Sequence, residues 1–186
     1  MKKMNNKGFS LVELIIVIAI MAILAGAIAP ALIRYIDKSR KSNDVSAAKT
    51  IKTAVETAMA NETTYEILTT GTSATKADVD GNSIKYSGAV KVATGIATGG
   101  SGGGVTIELS GSSSVATAGA DAIAEIGKNI GEKTPKIKYK KAADDTHKPT
   151  CFYVLCSDGG TVVVGLADDS LSFFYQLAPD LSKYYQ

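Results

Sequence analysis

The architecture of the chain is set by Lys7-Gly8-Phe9-Ser10-Leu11-Val12-Glu13-Leu14, which opens an apolar run that continues to Ile33. The segment from Leu14 to Ile33 carries no charge. As a helix it would be roughly 30 Å long, about the thickness of a bilayer core. A carboxylate at that depth costs on the order of a few kcal/mol unless a cation pairs with it. Glu13 therefore needs a partner.

The segment Gly8-Phe9-Ser10-Leu11-Val12-Glu13, which follows a short basic leader, resembles the processing site of type IV prepilins and of the related pseudopilins. In that pattern a glycine precedes the cleaved bond, phenylalanine becomes the new N-terminus, and glutamate is the fifth residue after the cut. A long hydrophobic helix follows, and Pro30 matches a proline that is common in it. The resemblance covers Lys2 to about Asn61, and the rest of the chain matches only the general plan of a small β-rich head.

The resemblance implies how the N-terminus is processed. A prepilin peptidase would cut the Gly8–Phe9 bond and N-methylate Phe9. The implied partner of Glu13 in an assembled fibre is the amine of a neighbouring subunit. The residues by themselves leave a simpler interpretation open, in which Glu13 satisfies only the N-terminus of its own helix.

Two other interpretations of the N-terminus remain open. A secretory signal peptide is possible because Ala25-Gly26-Ala27 satisfies the small-x-small cleavage rule, but Glu13 and the apolar residues beyond Ala27 argue against it. A signal anchor that is never cleaved is allowed by hydropathy, and basic residues on both sides leave its orientation ambiguous. The prepilin interpretation accounts for Gly8, Phe9 and Glu13 together.

The apolar helix suits both lipid and neighbouring helices, because Leu11 to Ile33 is apolar around its whole circumference. Gly26 and the alanines near it allow close helix approach. Pro30 removes one backbone donor, so we expect a kink or a locally unwound stretch between Gly26 and Pro30.

From Tyr35 to Met59 the apolar residues recur close to helical spacing, which predicts an amphipathic continuation packed on the head. The opposite face is charged, and we expect it to be solvated. It carries Asp37, Lys38, Arg40, Lys41, Asp44, Lys49, Lys52 and Glu56.

Composition and charge limit the possible functions. The 186 residues suit one domain plus an N-terminal anchor, and the formal net charge is +2. The leader alone carries Lys2, Lys3 and Lys7, so the mature side chains are near −1. Net charge therefore gives no support to nucleic-acid binding, and no direct nucleic-acid site is evident.

The head is predicted to be an antiparallel sheet packed on the second half of the long helix. The segments 69–81 and 95–104 are rich in Gly, Ser and Thr and are expected to be loops. A small helix is expected at 121–130, stopped by Gly131. Strands are expected at 83–92 with a break at Gly88, at 105–109, at 135–141 as a charged edge, at 151–156 and 161–166 as a hairpin, and within 171–177.

Cys151 and Cys156 are the only cysteines of the sequence. Their spacing of five on a strand puts the two side chains on opposite faces, which favours two small apolar strand residues. A local disulfide across a bulge is the alternative. The pair could not close the large C-terminal loop that a disulfide closes in many type IV pilins.

The sequence predicts no catalytic residue, no cofactor site and no metal site. Gly99-Gly100-Ser101-Gly102-Gly103, followed by His147, formally matches a hydrolase elbow, but a strand pattern follows it where the mechanism needs a helix. The acid pairs Asp144-Asp145 and Asp168-Asp169 are typical of turns. The late aromatic residues, Tyr153, Tyr175, Tyr184 and Tyr185 among them, are expected in the core of the C-terminal strands.

The sequence therefore predicts an α+β, pilin-like fold whose helix has a protruding hydrophobic half and an amphipathic half on the head. Its segments are a leader at 1–8, a membrane-spanning and fibre-core helix at 9–34, its continuation at 35–61, and a β-rich head at 62–186. The resemblance implies a structural subunit that is not an enzyme. It would first be a single-pass precursor in the cytoplasmic membrane and then part of a homopolymer on the cell surface. Its implied partners are the prepilin peptidase, an assembly platform and an ATPase. The alternatives are a pseudopilin of a secretion or DNA-uptake system, and a membrane-anchored surface enzyme or binding module.

Overall fold

The computed structural model describes residues 9–70, 74–93, 106–110, 118–131, 135–141 and 147–186. The chain divides into two compact units, one ending at Ser39 and the other covering Arg40–Gln186. The elements are α1 (Leu11–Ala58), α2 (Glu62–Thr69), β1 (Ala74–Ala77), β2 (Ser83–Tyr86), β3 (Gly88–Ala93), β4 (Thr106–Ser110), α3 (Ala118–Ile130), β5 (Cys151–Cys156), β6 (Val162–Ala167), β7 (Tyr175–Ala178) and a 3-10 turn at Lys183–Tyr185. A long N-terminal helix with a small antiparallel sheet matches the pilin-like α+β fold that the sequence predicts.

The main sheet has five antiparallel strands in the order β4-β3-β5-β6-β7. The predicted hairpin at its centre is confirmed: Cys156 pairs with Val162, and the turn between them ends at Gly160, whose φ of 76° favours glycine. A separate antiparallel pair is formed by β1 and β2. The break predicted at Gly88 lies one residue earlier, at Ser87, and Gly88 begins β3, where a Cβ would collide with the carbonyl of Leu68.

The main core lies between α1 and one face of the main sheet. On α1 the buried apolar side chains follow a spacing of three or four residues, so they form one stripe. They are Ala48, Ile51, Ala54, Val55 and Ala58. This stripe packs in one cluster with alternate side chains of β5, Phe152 and Val154 among them. The predicted packing of the amphipathic half on the sheet is confirmed.

The other face of the sheet is also covered. The alternate β5 side chains Tyr153 and Leu155 form a second cluster with Phe174, and Ile84 and Tyr86 of β2 pack against it. Since both faces are buried, all six residues of β5 are buried. This explains why the segment reads as a continuous apolar run rather than as an alternating strand.

Three segments differ from their sequence prediction. Helix α2 was not predicted from the sequence, and the Asn61 side chain caps it by accepting the Thr63 N–H at 3.0 Å. Strand β1 lies inside the predicted loop 69–81, because antiparallel pairing with β2 supplies its backbone hydrogen bonds. The edge strand predicted at 135–141 is wrong: that segment is irregular and lies outside both sheets.

The small helix predicted at 121–130 is confirmed and begins three residues earlier, at Ala118. It stops at Gly131, which has a φ of 95° and donates its N–H to the Gly127 carbonyl at 3.2 Å. A left-handed glycine directly after the last turn is a common helix terminator.

Candidate functional site

The first turn of α1 is built around Ser10 and Glu13. The Ser10 N–H donates to Glu13 Oε2 at 2.9 Å, and the Leu14 N–H donates to the Ser10 carbonyl at 3.2 Å. A glutamate that accepts the N–H of a serine three residues earlier forms one of the two bonds of a capping box. Glu13 therefore does satisfy its own helix end, as the simpler interpretation expected.

This bond leaves most of the carboxylate free for another donor. A carboxylate offers about four acceptor positions, and the Ser10 N–H fills one of them. Glu13 is exposed, and the Phe9 side chain is 85% exposed. Gly8, on the other side of the predicted cleavage bond, lies outside the described residues.

The surface of α1 that follows Glu13 along the chain is apolar and exposed. Every residue from Leu11 to Ile33 is exposed, and all of them except Glu13 are uncharged. By length and composition α1 can cross a membrane, and it lies near the N-terminus. Within the described chain, nothing lies within 4 Å of a Cβ placed on Gly26, so this surface would accept a close neighbour there.

Helix α1 continues through Pro30, although proline cannot donate the backbone bond of its turn. The kink predicted between Gly26 and Pro30 stays a prediction.

The two cysteines lie at opposite ends of β5 and in different clusters. Cys156 belongs to the core beneath α1, and Cys151 belongs to the cluster on the other face of the sheet. Both thiols are free and buried. Burial raises the pKa of Cys151 to about 11 and that of Cys156 to about 12, so neither is a reactive thiolate at neutral pH. The alternative of a bridge stays a prediction, which a thiol count on the unfolded chain would decide.

The residues of the enzyme alternative do not form a site among the described residues. Ser101 lies outside them, as do Asp144 and Asp145. The His147 ring packs edge-on against Phe173, with ring centroids 5.1 Å apart, and its carbonyl accepts the Tyr175 hydroxyl at 3.2 Å. No group of three or more metal-ligating side chains occurs in the part of the chain that the structure describes.

Asp168 organises a turn. Its carboxylate accepts the Ser170 hydroxyl at 2.7 Å and the Ser172 hydroxyl at 2.6 Å. Slight burial raises the pKa of Asp168, but these hydroxyls and the Ser172 N–H outweigh it and lower the pKa below its ordinary value. The predicted turn role of this acid pair is confirmed for Asp168.

Asp44 has a structural role that the sequence analysis missed. It was predicted to be solvated, and this is wrong: the side chain is fully buried. Its carboxylate accepts the Lys138 N–H at 2.7 Å and the Tyr139 N–H at 2.8 Å. Desolvation raises the pKa of Asp44, although both N–H bonds oppose it. Asp44 therefore supplies to the 135–141 segment the backbone bonds that a neighbouring strand would have supplied.

Lys41 also departs from the predicted solvated face. Its Nζ donates to the Tyr184 carbonyl and lies 5.0 to 5.9 Å from the ring centroids of Tyr139, Tyr184 and Tyr185. We call these four residues the lysine cage. Such a position is attractive for an ammonium because the faces of aromatic rings are negative. The cage joins α1 to the C-terminal residues, and the expected core role of the late tyrosines is confirmed for Tyr175 and Tyr185, which are buried.

Comparison with known proteins supports the N-terminal site. Residues 3–29 match the family model of the prokaryotic N-terminal methylation motif. This motif is the class III signal of type IV pilins and pseudopilins, so the resemblance carried by Gly8, Phe9 and Glu13 is confirmed, and a precursor of that general type is supported. No solved structure matches the chain.

Proposed function

We propose that the chain is the precursor of a structural type IV pilus subunit. A prepilin peptidase cleaves the Gly8–Phe9 bond and methylates the new amine of Phe9. The mature chain then leaves the membrane and polymerises through the apolar half of α1 into a surface fibre. The observation that carries the proposal is the methylation motif at residues 3–29, which includes most of the exposed apolar half of α1.

Assembly in this proposal depends on Glu13. Its carboxylate retains acceptor positions beside the Ser10 N–H, and it lies one turn from the amine that cleavage would create on Phe9. A methylated amine keeps its positive charge. Two unit charges about 4 Å apart attract by roughly 4 kcal/mol at an effective dielectric of 20, before desolvation is counted. A carboxylate at the edge of the bilayer therefore gains by meeting the Phe9 amine of another copy.

The apolar half of α1 serves two environments in this proposal. In the precursor its exposed side chains face lipid, and in the fibre they face the same segment of other copies. Small residues such as Gly26 leave room for that close approach. The partners are therefore the membrane, copies of the same chain, the peptidase, and the platform and ATPase that drive assembly. The role is structural rather than enzymatic.

The proposal is tested by shearing surface fibres from cells and measuring the intact mass and N-terminal sequence of their subunit. The expected chain begins at methylated Phe9. A chain that begins at Met1 or at Ile28 would reject the proposal in favour of an uncleaved anchor or a secretory signal. A Gly8→Val variant is expected to accumulate as an uncut membrane precursor, whereas Asn6→Ala, two residues before it, is expected to be processed.

The same preparation separates a major pilin from a pseudopilin. A pseudopilin of a secretion or DNA-uptake system would be methylated at the same residue, but would be a minor component of short fibres. Its abundance relative to the other sheared proteins distinguishes the two.

A further inference from the structure

A groove lined by lysines lies on the head. It has a volume of about 500 Å³ and is lined by Lys136, Ile137, Lys140, Lys148, Pro149 and Thr150. We call this surface the lysine groove. Its size is within the range of roughly 300 to 1,000 Å³ that is typical of ligand sites.

The groove concentrates positive charge on a chain whose mature side chains sum to about −1. The three lysines are exposed, and none of them forms an ion pair with a carboxylate of the described residues. The neighbouring Lys138 is also exposed. Like charges held close together repel one another, so an anion that binds among them relieves this repulsion.

Both walls of the groove are fixed by the fold. On one wall Ile137 is buried in the core, and the next two backbone N–H groups donate to Asp44. On the other wall Pro149 is buried, and the Thr150 N–H donates to the Ala167 carbonyl at 2.9 Å. The lysines therefore project from anchored backbone, which reduces the entropy that a ligand must overcome.

We propose that the lysine groove binds a flexible, phosphate-bearing polyanion of the polyphosphate or polyol-phosphate class. Lysine is a point-charge donor that accepts many orientations of a phosphate, and it lacks the planar fork of arginine. Among the described residues that line the groove none has an aromatic or amide side chain, so they offer neither a stacking platform nor base-edge readout. A single thin chain fits a groove of this volume, and recognition is by charge.

The test is binding of fluorescently labelled inorganic polyphosphate to the full chain in a non-ionic detergent, measured by anisotropy at several salt concentrations. Three contacts predict that the affinity falls by roughly 20- to 40-fold between 50 and 200 mM salt. The triple variant Lys136→Gln, Lys140→Gln, Lys148→Gln is expected to lose about tenfold or more in affinity at low salt and most of that salt dependence. Its thermal unfolding is expected to match that of the native chain, because the three side chains are exposed.

The matched control removes the same charge elsewhere. Lys85, Lys128 and Lys183 are exposed lysines outside the groove, and their triple change to glutamine is expected to leave the affinity within about twofold. Equal losses in the two triple variants would show that only net charge matters and would overturn the proposal, as would unchanged binding by the groove variant. Tighter binding of duplex DNA than of polyphosphate would overturn the ligand class.

A second experiment uses the native chain without substitutions, so it does not depend on whether a variant folds or assembles. Polyphosphate is expected to slow acetylation of Lys148 but not of Lys85, as read by peptide mass spectrometry. Equal protection of both lysines would overturn the assignment. Since all arms use unassembled chain, they do not depend on fibre formation.

Discussion

The two halves of α1 share one secondary structure but have opposite surroundings. Between Leu11 and Ile33 every residue is exposed, although all of them except Glu13 are uncharged. After Arg40 one stripe is buried, and it includes a carboxylate, Asp44. Whether a residue of this helix is buried therefore depends on what packs against its half of the helix, and not on how apolar the residue is. The head supplies this packing for the second half. The described residues of the first half up to Ile33 are exposed, and in the function proposed above lipid or other copies cover them.

The largest effect is expected from removing the negative charge at the start of the exposed half of α1. The Glu13→Val variant is expected to be cut and methylated but to form almost no fibres, because the Phe9 amine loses its anionic partner while the apolar surface is kept. Electron microscopy of sheared material measures the fibres, and mass spectrometry measures processing.

Glu13→Asp is the matched control, since it keeps the charge but shortens its reach, and a partial fibre yield is expected. Normal fibres from Glu13→Val would show that the capping box with Ser10 is the whole role of this residue. Loss of processing in the same variant would place its role at the peptidase instead.

The next largest effect is expected in the buried stripe of the second half. Ile51 is fully buried, so Ile51→Ala removes three carbons from the core and should lower the free energy of unfolding by about 2–5 kcal/mol. Urea denaturation of the full chain in detergent measures it. Ile18, on the exposed half, is 56% exposed, and Ile18→Ala should change unfolding of the head by less than about 0.5 kcal/mol. Similar losses from both variants would contradict the division of α1 into two halves.

Asp44 tests the polar contact inside that stripe. Asp44→Ala leaves the Lys138 and Tyr139 N–H groups without their acceptor and should destabilise the head by roughly 2–4 kcal/mol. Asp44→Asn should lose less, because one amide oxygen still accepts one of the two bonds. Destabilisation by Asn as large as that by Ala would show that the charge, and not the acceptor geometry, fixes the 135–141 segment.

The pH dependence of this site has a defined sign. Desolvation raises the pKa of Asp44 above its ordinary value of 3.8, so the folded chain binds this proton more tightly than the unfolded chain does. The resulting stabilisation is fully present below the unfolded pKa and is lost as the pH rises through the folded pKa. The stability of the native chain relative to Asp44→Asn should therefore fall as the pH rises from about 4 toward neutrality. A difference that grows with pH would mean that the two N–H bonds outweigh burial.

The smallest effect is expected at the lysine cage. Lys41→Met keeps the length of the side chain but removes the ammonium from the rings of Tyr139, Tyr184 and Tyr185, and a loss of about 0.5–2 kcal/mol is expected. Lys49→Met is the control on an exposed position of the same helix, with a change below about 0.5 kcal/mol. Equal effects of the two variants would mean that the cage contributes no more than a surface lysine.

Local signals account for the parts of the fold that the sequence predicted correctly. The uninterrupted apolar run and the helical spacing after Tyr35 predict α1, and the hairpin is predicted by two apolar segments around Ser157-Asp158-Gly159-Gly160. The 135–141 segment was predicted wrongly because alternation of lysine with Ile137 and Tyr139 is typical of an edge strand. Its backbone donors in fact go to a side chain of α1, nearly a hundred residues earlier, and no local pattern carries that information.

The amino-acid sequence alone determined the processing motif, the helix and the general α+β class, since each depends on residues that are close together in the chain. Tertiary structure decided which charges of the second half are buried, how Lys41 and Asp44 fasten distant segments to α1, and where Lys136, Lys140 and Lys148 converge. These features join residues far apart in the chain. Their energies depend on desolvation and on long-range partners, which exist only once the sheet has packed against the helix.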